Sequence, residues 1–338
     1  MDFTKGYTAS FYGVELDPIT RTEKNRFEIV SGSINREESE LRHSANLTLK
    51  DNLDLNDKWI RIYMIAKQGS DSERVALFTG LASSPSISYN AGHIETTIQC
   101  YSVLKSIADI ILPIGWYAAS GYSGDQLYSL LDKVPFSVTV DDGTPNIKNA
   151  IIAEYGETNL SMLDAILLSI STDANDGWKL QIEGDGSVHI SPYSRDPVAT
   201  FSQTNSVIET SFNITRDWFD CPNVFRAGYG DYTAIARDDD PESELSTESR
   251  GREIWMAEES ADVMDNESVG DYARRRLKEE QLRSEKISYN RRFLPEVNQG
   301  DCIRLSYSEL NGDYFVESQS INLGPNATVN ETIYRKVE

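Results

Sequence analysis

Long apolar runs are missing from this sequence of 338 residues. A helix that crosses a membrane needs roughly 20 predominantly apolar residues. The longest apolar stretches, 107–114 and 163–170, are much shorter and are interrupted by polar residues or proline. The first six residues also lack the basic and apolar segments of a secretory signal. We therefore expect a protein that is made and folded in a cytoplasm and that has no membrane partner.

Cysteine and histidine are scarce, with three residues of each. Cys100, Cys221 and Cys302 are far apart and show no paired spacing, whereas a zinc site would need clustered Cys and His ligands. Cys100 and Cys302 fall within apolar, strand-like patterns, where a buried thiol packs as a small hydrophobic side chain. The sequence therefore predicts no metal, redox centre or cofactor.

Basic residues are too few to balance the acidic ones. The chain has 32 Lys and Arg against 54 Asp and Glu, which gives a net charge of -22. Proteins that bind nucleic acids or anionic membranes through their phosphates do so with Lys and Arg, so the charge argues strongly against both roles. It suits a soluble protein, or a channel through which DNA moves without sticking.

The familiar catalytic motifs are absent from the sequence as well. Residues 121–124 read Gly-Tyr-Ser-Gly and lack the Gly-x-Ser-x-Gly spacing of a nucleophile elbow. The sequence contains neither a phosphate-binding Gly-Lys-Ser/Thr loop nor a His-Glu-x-x-His zinc motif. Two carboxylates that meet in a cleft could still hydrolyse a glycan. We therefore expect a protein that is not an enzyme, with a glycan or peptidoglycan hydrolase as an alternative.

Short apolar segments, in contrast, are plentiful. The first hundred residues alternate apolar and polar positions between turn clusters, which predicts a small antiparallel barrel or sandwich. The middle of the chain mixes helical spacing with strands, and strands resume from about residue 211. The sequence thus predicts an α+β, mainly β fold in which two related antiparallel β-barrel-like domains flank an α+β insert. The predicted domains are residues 1–100 with about 201–220, the insert at 101–200, and residues 221–338 including a helix at about 267–283.

Helix signals are clearest in and after the predicted insert. Apolar spacing predicts helices over 102–112, from Ser123 through Leu131, and from a cap at Thr158 or Asn159 to about residue 170. The Gly-Asp-Gly sequence at 184–186 lies between two strand patterns and predicts a hairpin. The longest predicted helix begins at Asn266 or Ser268.

One hairpin pattern occurs twice, in residues 56–81 and 298–321. The shared strand residues are Ile60-Arg61-Ile62 in the first copy and Ile303-Arg304-Leu305 in the second. A Gly-containing turn and a returning strand follow in each copy, and Asn311-Gly312 is a favoured pair for a type I′ hairpin turn. Because each copy lies in a strand-rich end of the chain, the pattern predicts a duplicated barrel-like domain.

Many further stretches resemble phage tail and baseplate hub proteins, including the late control protein D class and the hubs of Bacillus defective prophages and tailocins. The stretches that carry the resemblance are 275–295, 300–301 and 311–318, the closing segments 321–325 and 328–333, the middle segments 111–117, 151–160 and 178–186, and the N-terminal segments 32–36 and 78–80. Together they extend over nearly the whole chain. The hub family is therefore the relative that the sequence indicates.

This resemblance implies a homotrimer in which two barrel-like domains per subunit form a pseudo-sixfold ring around a central channel. Such a ring joins the hexameric tail tube, or a distal tail protein, to a trimeric spike or fibre. DNA would contact it only in passing through the channel. The implied location is the tail or baseplate of a phage, prophage or tailocin, assembled in the cytoplasm of a host bacterium. The sequence ends soon after the closing strands, so we expect no lytic extension.

Aromatic pairs are the candidate contact residues, because interfaces are enriched in aromatic side chains. Trp116 and Tyr117 follow Pro113, and Trp255 follows an acidic loop. Core packing would explain the same residues equally well. A carbohydrate-binding or receptor-binding tail module remains an alternative function, and it would require exposed aromatic platforms.

Overall fold

The computed structural model describes the chain except for residues 40, 51–52, 91–92, 148–149, 172–176, 206, 259–267, 309 and 336–338. The strands of the described residues are β1 (Thr8–Leu16), β2 (Glu23–Glu37), β3 (His43–Leu49), β4 (Trp59–Gln68), β5 (Asp71–Ala82), β6 (Ser86–Asn90), β7 (His93–Ser102), β8 (Tyr117–Ala118), β9 (Gly121–Tyr122), β10 (Val138–Val140), β11 (Asn146–Ile147), β12 (Ile151–Ile152), β13 (Trp178–Ile182), β14 (Val188–Pro192), β15 (Ala199–Ser202), β16 (Ile208–Arg216), β17 (Val224–Tyr229), β18 (Tyr232–Arg237), β19 (Trp255–Glu258), β20 (Glu285–Arg292), β21 (Cys302–Ser306), β22 (Asn311–Asn322) and β23 (Thr328–Tyr334). The helices are α1 (Lys105–Ala108), α2 (Ser123–Leu131), α3 (Asn159–Ile170), α4 (Thr247–Arg250) and α5 (Val269–Arg283). Strands dominate, which confirms the predicted mainly β, α+β class.

The N-terminal strands form a closed ring. Their order is β1-β4-β5-β7-β3-β2, and a further pairing between β1 and β2 closes it. The ring follows from the alternating sequence, since β3 reads His-Ser-Ala-Asn-Leu-Thr-Leu and buries every second side chain. We call these six strands the first unit.

A second set of strands repeats this order. We call the strands β15, β16, β20, β21, β22 and β23 the second unit, and they pair in the order β15-β21-β22-β23-β20-β16. When the six strands of each unit are numbered 1 to 6 along the chain, both units have the spatial order 1-4-5-6-3-2. In this numbering, the pairings 4-5, 5-6, 6-3 and 3-2 are antiparallel in both units. The units differ at their first strand, because β1 runs antiparallel to β4 whereas β15 runs parallel to β21. The echoed hairpins, β4–β5 and β21–β22, occupy the same place in both units.

The pairing changes how the chain is divided. The sequence pattern groups residues 201–220 with the first hundred residues, whereas β15 and β16 are hydrogen-bonded to β21 and β20 of the second unit. Alternating polarity shows which face of a strand is buried but not which strand lies beside it, so the sequence leaves this pairing open. Residues 217–284 are then an insertion between β16 and β20.

The second hairpin turn also differs from the prediction. Asn311 and Gly312 begin β22 instead of forming the turn, and the Tyr307 amide donates to the Leu310 carbonyl at 3.0 Å just before them. This register sets Ile303 opposite Tyr314, and both side chains are buried. A register that buries large apolar side chains overrides the local preference of Asn-Gly for a tight turn.

The insert between the units is α+β, as predicted. Helix α2 has the predicted bounds, and α3 begins after Thr158, whose hydroxyl accepts a hydrogen bond from the Ser161 amide in a capping box. The predicted helix at 102–112 is wrong beyond one turn, because the chain at residues 110–112 hydrogen-bonds to residues 157–159 instead. The hairpin predicted around 184–186 is formed by β13 and β14.

Helix α5 covers the inserted sheet β18-β17-β19. It begins after Ser268, one of the two predicted caps, whose hydroxyl accepts from the Asp271 amide. The other predicted cap, Asn266, lies outside the described residues. Its face with Tyr272, Ala273 and Leu277 is buried against Phe225 of β17. No helix in the described part of the chain is long and apolar enough to cross a membrane.

One apolar core lies under both units. The same cluster contains Ile34 and Ile62 from the first unit and Ile303 and Val329 from the second. The strands β2 and β22 pair directly and carry the sheet from one unit into the other. The two units are therefore packed as one body, while the insert has a separate core.

Candidate assembly surfaces

Trp116 and Tyr117, two of the predicted contact residues, lie at a turn of the insert. The Trp116 amide donates to the Pro113 carbonyl at 3.0 Å, and Gly115 has a φ of 80°. A positive φ at the third position is what a type II turn requires, and glycine adopts it without strain. Ile114 occupies the second position of this turn, and 91% of its surface is exposed to solvent.

A second turn has the same design. The Glu157 amide donates to the Glu154 carbonyl at 3.3 Å, and Gly156 has a φ of 91°. Tyr155 occupies the second position and is exposed to 93%. Both turns therefore present one large apolar side chain to solvent.

Hydrogen bonds place the two turns side by side. Tyr117 of β8 faces Ile152 of β12 across a short antiparallel pair, and Ile111 forms a bridge with Thr158. We call the exposed apolar side chains of these segments the apolar tip. Its members are Ile111, Ile114, Tyr117, Ile152 and Tyr155, exposed to between 57% and 93%.

The structure separates the three predicted contact residues. Tyr117 belongs to the apolar tip, whereas Trp116 is half-buried and packs against the core of the insert. Trp255 begins β19, is 52% exposed, and donates its indole N–H to Glu253 at 2.8 Å. A role of these residues in an interface stays a prediction. Ile114 and Tyr155 were not predicted from the sequence, although the x-Ile-Gly and x-Tyr-Gly turn patterns would indicate exposed positions.

A cavity of about 540 Å³ opens between the insert and α5. We call it the insert cleft, and six cationic and four anionic side chains line it. The cations are Arg42, Lys179, Arg275, Arg276, Arg283 and Arg335. Apolar side chains share the lining, among them Leu168 of α3, which is 54% exposed.

Ion pairs hold the walls of the cleft. Arg42 contacts Asp164 at 2.6 Å, and Arg276 contacts Glu279 at 2.8 Å and Glu258 at 3.3 Å. The first pair joins the chain after β2 to α3, and the Arg276–Glu258 pair joins α5 to β19. Lys179 is also paired with Asp301 at 2.8 Å, and Arg276 with Glu280 at 3.3 Å, so carboxylates balance the cations of the cleft.

A buried polar network lies within the second unit. Arg291 and Glu331 are both fully buried and form a two-pronged ion pair at 2.6 and 2.9 Å. Tyr289 donates to Glu331 at 2.6 Å, and Gln319 donates to it at 2.8 Å. Burial alone would raise the pKa of Glu331, but the charge of Arg291 and these hydrogen bonds outweigh it and leave that pKa below its ordinary value.

Arg36 extends the network into the first unit. It donates to Asn298 at 2.7 Å, to the Leu77 carbonyl at 3.1 Å, and to Gln319 at 3.4 Å. Burial lowers the pKa of Arg36 to about 10, so its guanidinium stays charged at neutral pH. The network therefore fixes one unit against the other with groups that are costly to leave unpaired.

The turn of the β13–β14 hairpin holds the insert against the first unit. Thr79 donates to the Gly184 carbonyl at 2.8 Å, and Arg61 donates to the Asp185 carbonyl at 2.6 Å. A Cβ atom on Gly184 would lie 2.0 Å from the carbonyl oxygen of Ala76. Glycine at this position therefore permits backbone contact between the hairpin and β5.

Gly184→Ala should lower the free energy of unfolding by about 1–3 kcal/mol, because the added methyl group must displace backbone. Gly143→Ala is the matched control, since nothing lies within 4 Å of its added Cβ, and we expect a change within about 0.5 kcal/mol. Urea denaturation of both variants measures the difference. Equal stabilities would show that the hairpin does not need this close approach.

The three thiols are all buried. Burial raises the pKa of Cys100 to about 12 and that of Cys302 to about 11, and it also raises the pKa of Cys221. The predicted burial of Cys100 and Cys302 is confirmed. Among the described residues, no group of three or more His, Cys, Asp or Glu side chains is placed to hold a metal ion.

Solved structures share this architecture over nearly the whole chain. A tail protein from Neisseria meningitidis matches with a TM-score of 0.67 and 15% identity, over 98% of this chain and 96% of its own. A 43 kDa prophage tail protein from Shewanella oneidensis matches with a TM-score of 0.67 and 13% identity, over 98% and 97%. The chain has the fold of phage tail proteins.

A third solved structure also has this fold. The prophage tail protein gp18 from Listeria monocytogenes matches with a TM-score of 0.54 and 13% identity, over 97% of this chain and 94% of its own. Neither a protein-family model nor a curated protein matches the sequence. The fold resemblance implied by the sequence is therefore confirmed by structure, at identities where sequence comparison alone finds nothing.

Proposed function

We propose that this chain is a structural subunit of a phage tail, prophage or tailocin baseplate, and that it forms the hub between tail tube and spike or fibre. The observation that carries the proposal is the repeated unit. Two sets of six strands share one spatial order within a single chain. The fold of tail proteins over 98% of the chain supports the same role.

Two similar units in one chain allow a threefold assembly to match a sixfold partner. A closed ring of three copies, each with two similar units, presents six roughly equivalent surfaces in a cyclic assembly. Such a ring can bind a hexameric tail tube or a distal tail protein on one side and a trimeric spike or fibre on the other. We propose this homotrimer, located in the virion tail and assembled in the cytoplasm of the host bacterium.

The charge supports a passage for DNA instead of a binding site for it. A net charge of -22 repels phosphates and disfavours non-specific binding. We propose a central channel through which DNA passes without specific contacts. We also propose that the chain needs no cofactor and catalyses no reaction, in keeping with its buried, protonated thiols.

Native mass spectrometry or light scattering of the purified chain tests this proposal. We expect trimers, either alone or after addition of the neighbouring tube protein. A chain that stays monomeric under both conditions and shows a polysaccharide-dependent thermal shift would contradict the hub function.

That result would favour the alternative function of a carbohydrate-binding tail module, for which Tyr117, Tyr155 and Trp255 are exposed aromatic residues. Turnover of a glycan that a single carboxylate substitution abolishes would instead indicate a hydrolase.

A further inference from the structure

Strand β18 has one edge without a neighbouring strand. The sheet order β18-β17-β19 places β18 at the border of this sheet, with β17 as its one partner among the described strands. Edge strands are templates for further strands, and soluble proteins protect them with proline, lysine or a β-bulge. β18 reads Tyr-Thr-Ala-Ile-Ala-Arg, and its register with β17 has no bulge. These protections are therefore absent from β18.

The hairpin geometry shows which backbone groups of β18 point outwards. The Asp238 amide, one step beyond the strand, donates to the Asn223 carbonyl at 2.9 Å. Hydrogen-bonded residues alternate along an antiparallel pair, so the even-numbered residues of β18 bond to β17. The odd-numbered residues direct their N–H and C=O groups away from β17. These residues are Thr233, Ile235 and Arg237.

Exposure agrees with an open edge. Ile235 is 58% exposed, and Thr233 and Arg237 are exposed as well. Among the described residues, no backbone hydrogen bond from outside the hairpin reaches these three. Another extended backbone satisfies N–H and C=O groups that recur at every second residue, as it does in peptide-binding domains that add a strand to a sheet edge. The edge therefore selects a strand as its partner.

An acidic loop follows the open edge. Residues 238–244 contain five carboxylates and no cation, and four of these carboxylates are exposed. Arg237 lies beside the loop, but it is already paired with Glu253 at 2.6 Å. When such partners are counted, residues 237–253 carry seven carboxylates against three arginines, a net charge of -4. The end of β18 is therefore acidic after its ion pairs are included.

Charge complementarity selects the kind of strand. A segment that adds to β18 and continues past Arg237 lies beside the acidic loop, so Lys or Arg at that end of the segment is attracted to it. A second copy of this chain would instead bring the same carboxylates together, and each copy carries a net charge of -22. A basic segment of another protein is therefore favoured over a second copy.

We propose that β18 binds an extended, basic segment of another protein as a fourth strand of this sheet. An aliphatic residue of the segment lies beside Ile235, and its Lys or Arg end lies against residues 238–244. The contact uses the fold of a single chain, so it goes beyond the proposed hub function and does not depend on the trimer.

A synthetic peptide tests this proposal with the full-length chain. The probe is fluorescein-Lys-Lys-Thr-Val-Thr-Val-Thr-amide, whose lysines meet the acidic loop when it pairs antiparallel to β18 and whose other residues favour strands. Fluorescence anisotropy measures its dissociation constant. Replacing both lysines by glutamate should raise this constant at least about tenfold. Binding of the lysine peptide should also weaken as salt rises from about 50 to about 300 mM.

Variants of β18 locate the binding site. Ile235→Pro removes the central outward N–H and keeps the hydrogen bonds to β17, since proline is tolerated where an edge N–H faces solvent. Ile235→Lys adds the protection that β18 lacks, and it serves if the proline variant does not fold. Each folded variant should bind the lysine peptide at least about tenfold more weakly. Ile152→Lys is the matched control, since Ile152 is a 72% exposed strand residue of the insert, and it should bind as the wild type does. Circular dichroism checks that every variant is folded.

The outcomes separate the edge, the charge and the occupant. Absent binding of the lysine peptide, or unchanged binding by the folded Ile235 variants, would overturn the edge as a binding site. Equal binding of the lysine and glutamate peptides would overturn the selection by charge. A wild-type chain that dimerises, with both Ile235 variants monomeric, would show that a second copy occupies the edge and would also overturn the proposal.

Discussion

Glu331→Leu should lower the free energy of unfolding by about 3–5 kcal/mol, which is the typical cost of removing one partner of a buried ion pair. Arg291 and Glu331 are fully buried and lie 2.6 Å apart. Without the carboxylate, the guanidinium of Arg291 is left charged in the core, and Tyr289 and Gln319 lose an acceptor. Urea denaturation followed by fluorescence measures the loss.

Two comparisons isolate the buried charge as the cause. Arg291→Met/Glu331→Leu should be more stable than Glu331→Leu alone, because it removes the unpaired cation together with its partner. The exposed pair Arg304–Asp313 is the control, and Asp313→Ala should cost no more than about 1 kcal/mol. A loss below about 1 kcal/mol in Glu331→Leu would refute the idea that an unpaired buried charge destabilises the second unit.

Ile60→Ala and Ile303→Ala should each cost about 2–5 kcal/mol, since both side chains are completely buried. The two residues occupy the same position in the repeated hairpin, one in β4 and one in β21. They belong to one continuous core that extends under both units. Each substitution should therefore shift the same cooperative unfolding transition of both units.

Scanning calorimetry distinguishes this outcome from independent units. Ile19→Ala is the control, because Ile19 is 87% exposed and the change should stay within about 0.5 kcal/mol. Two separate transitions, of which Ile60→Ala moves one and Ile303→Ala moves the other, would show that the units fold independently. That result would contradict a single core.

Local features of the fold could be predicted because local chemistry determines them. The bounds of α2 and the caps of α3 and α5 follow from apolar spacing and from Thr158 and Ser268 as hydroxyl caps. The repeated hairpin could be recognised because Ile60 and Ile303 each precede an arginine that faces away from the core. These signals lie within one element or two consecutive ones.

Features that depend on distant segments could not be predicted. Polarity patterns do not show that β16 pairs with β20, or that Asn311 and Gly312 extend a strand instead of turning it. The insert cleft combines residues as distant as Glu38, Asp164 and Tyr334. Of the apolar tip, the sequence indicated only Tyr117, because its other members become a patch only when two separate turns are paired.

Electron cryomicroscopy of the purified chain, with the tube protein if that is needed for assembly, tests the central claim most directly. The proposal predicts a threefold ring around an open channel, in which the first and second units of three chains alternate as six similar lobes. Particles without cyclic symmetry, or a threefold particle in which only one of the two units lines the channel, would contradict it.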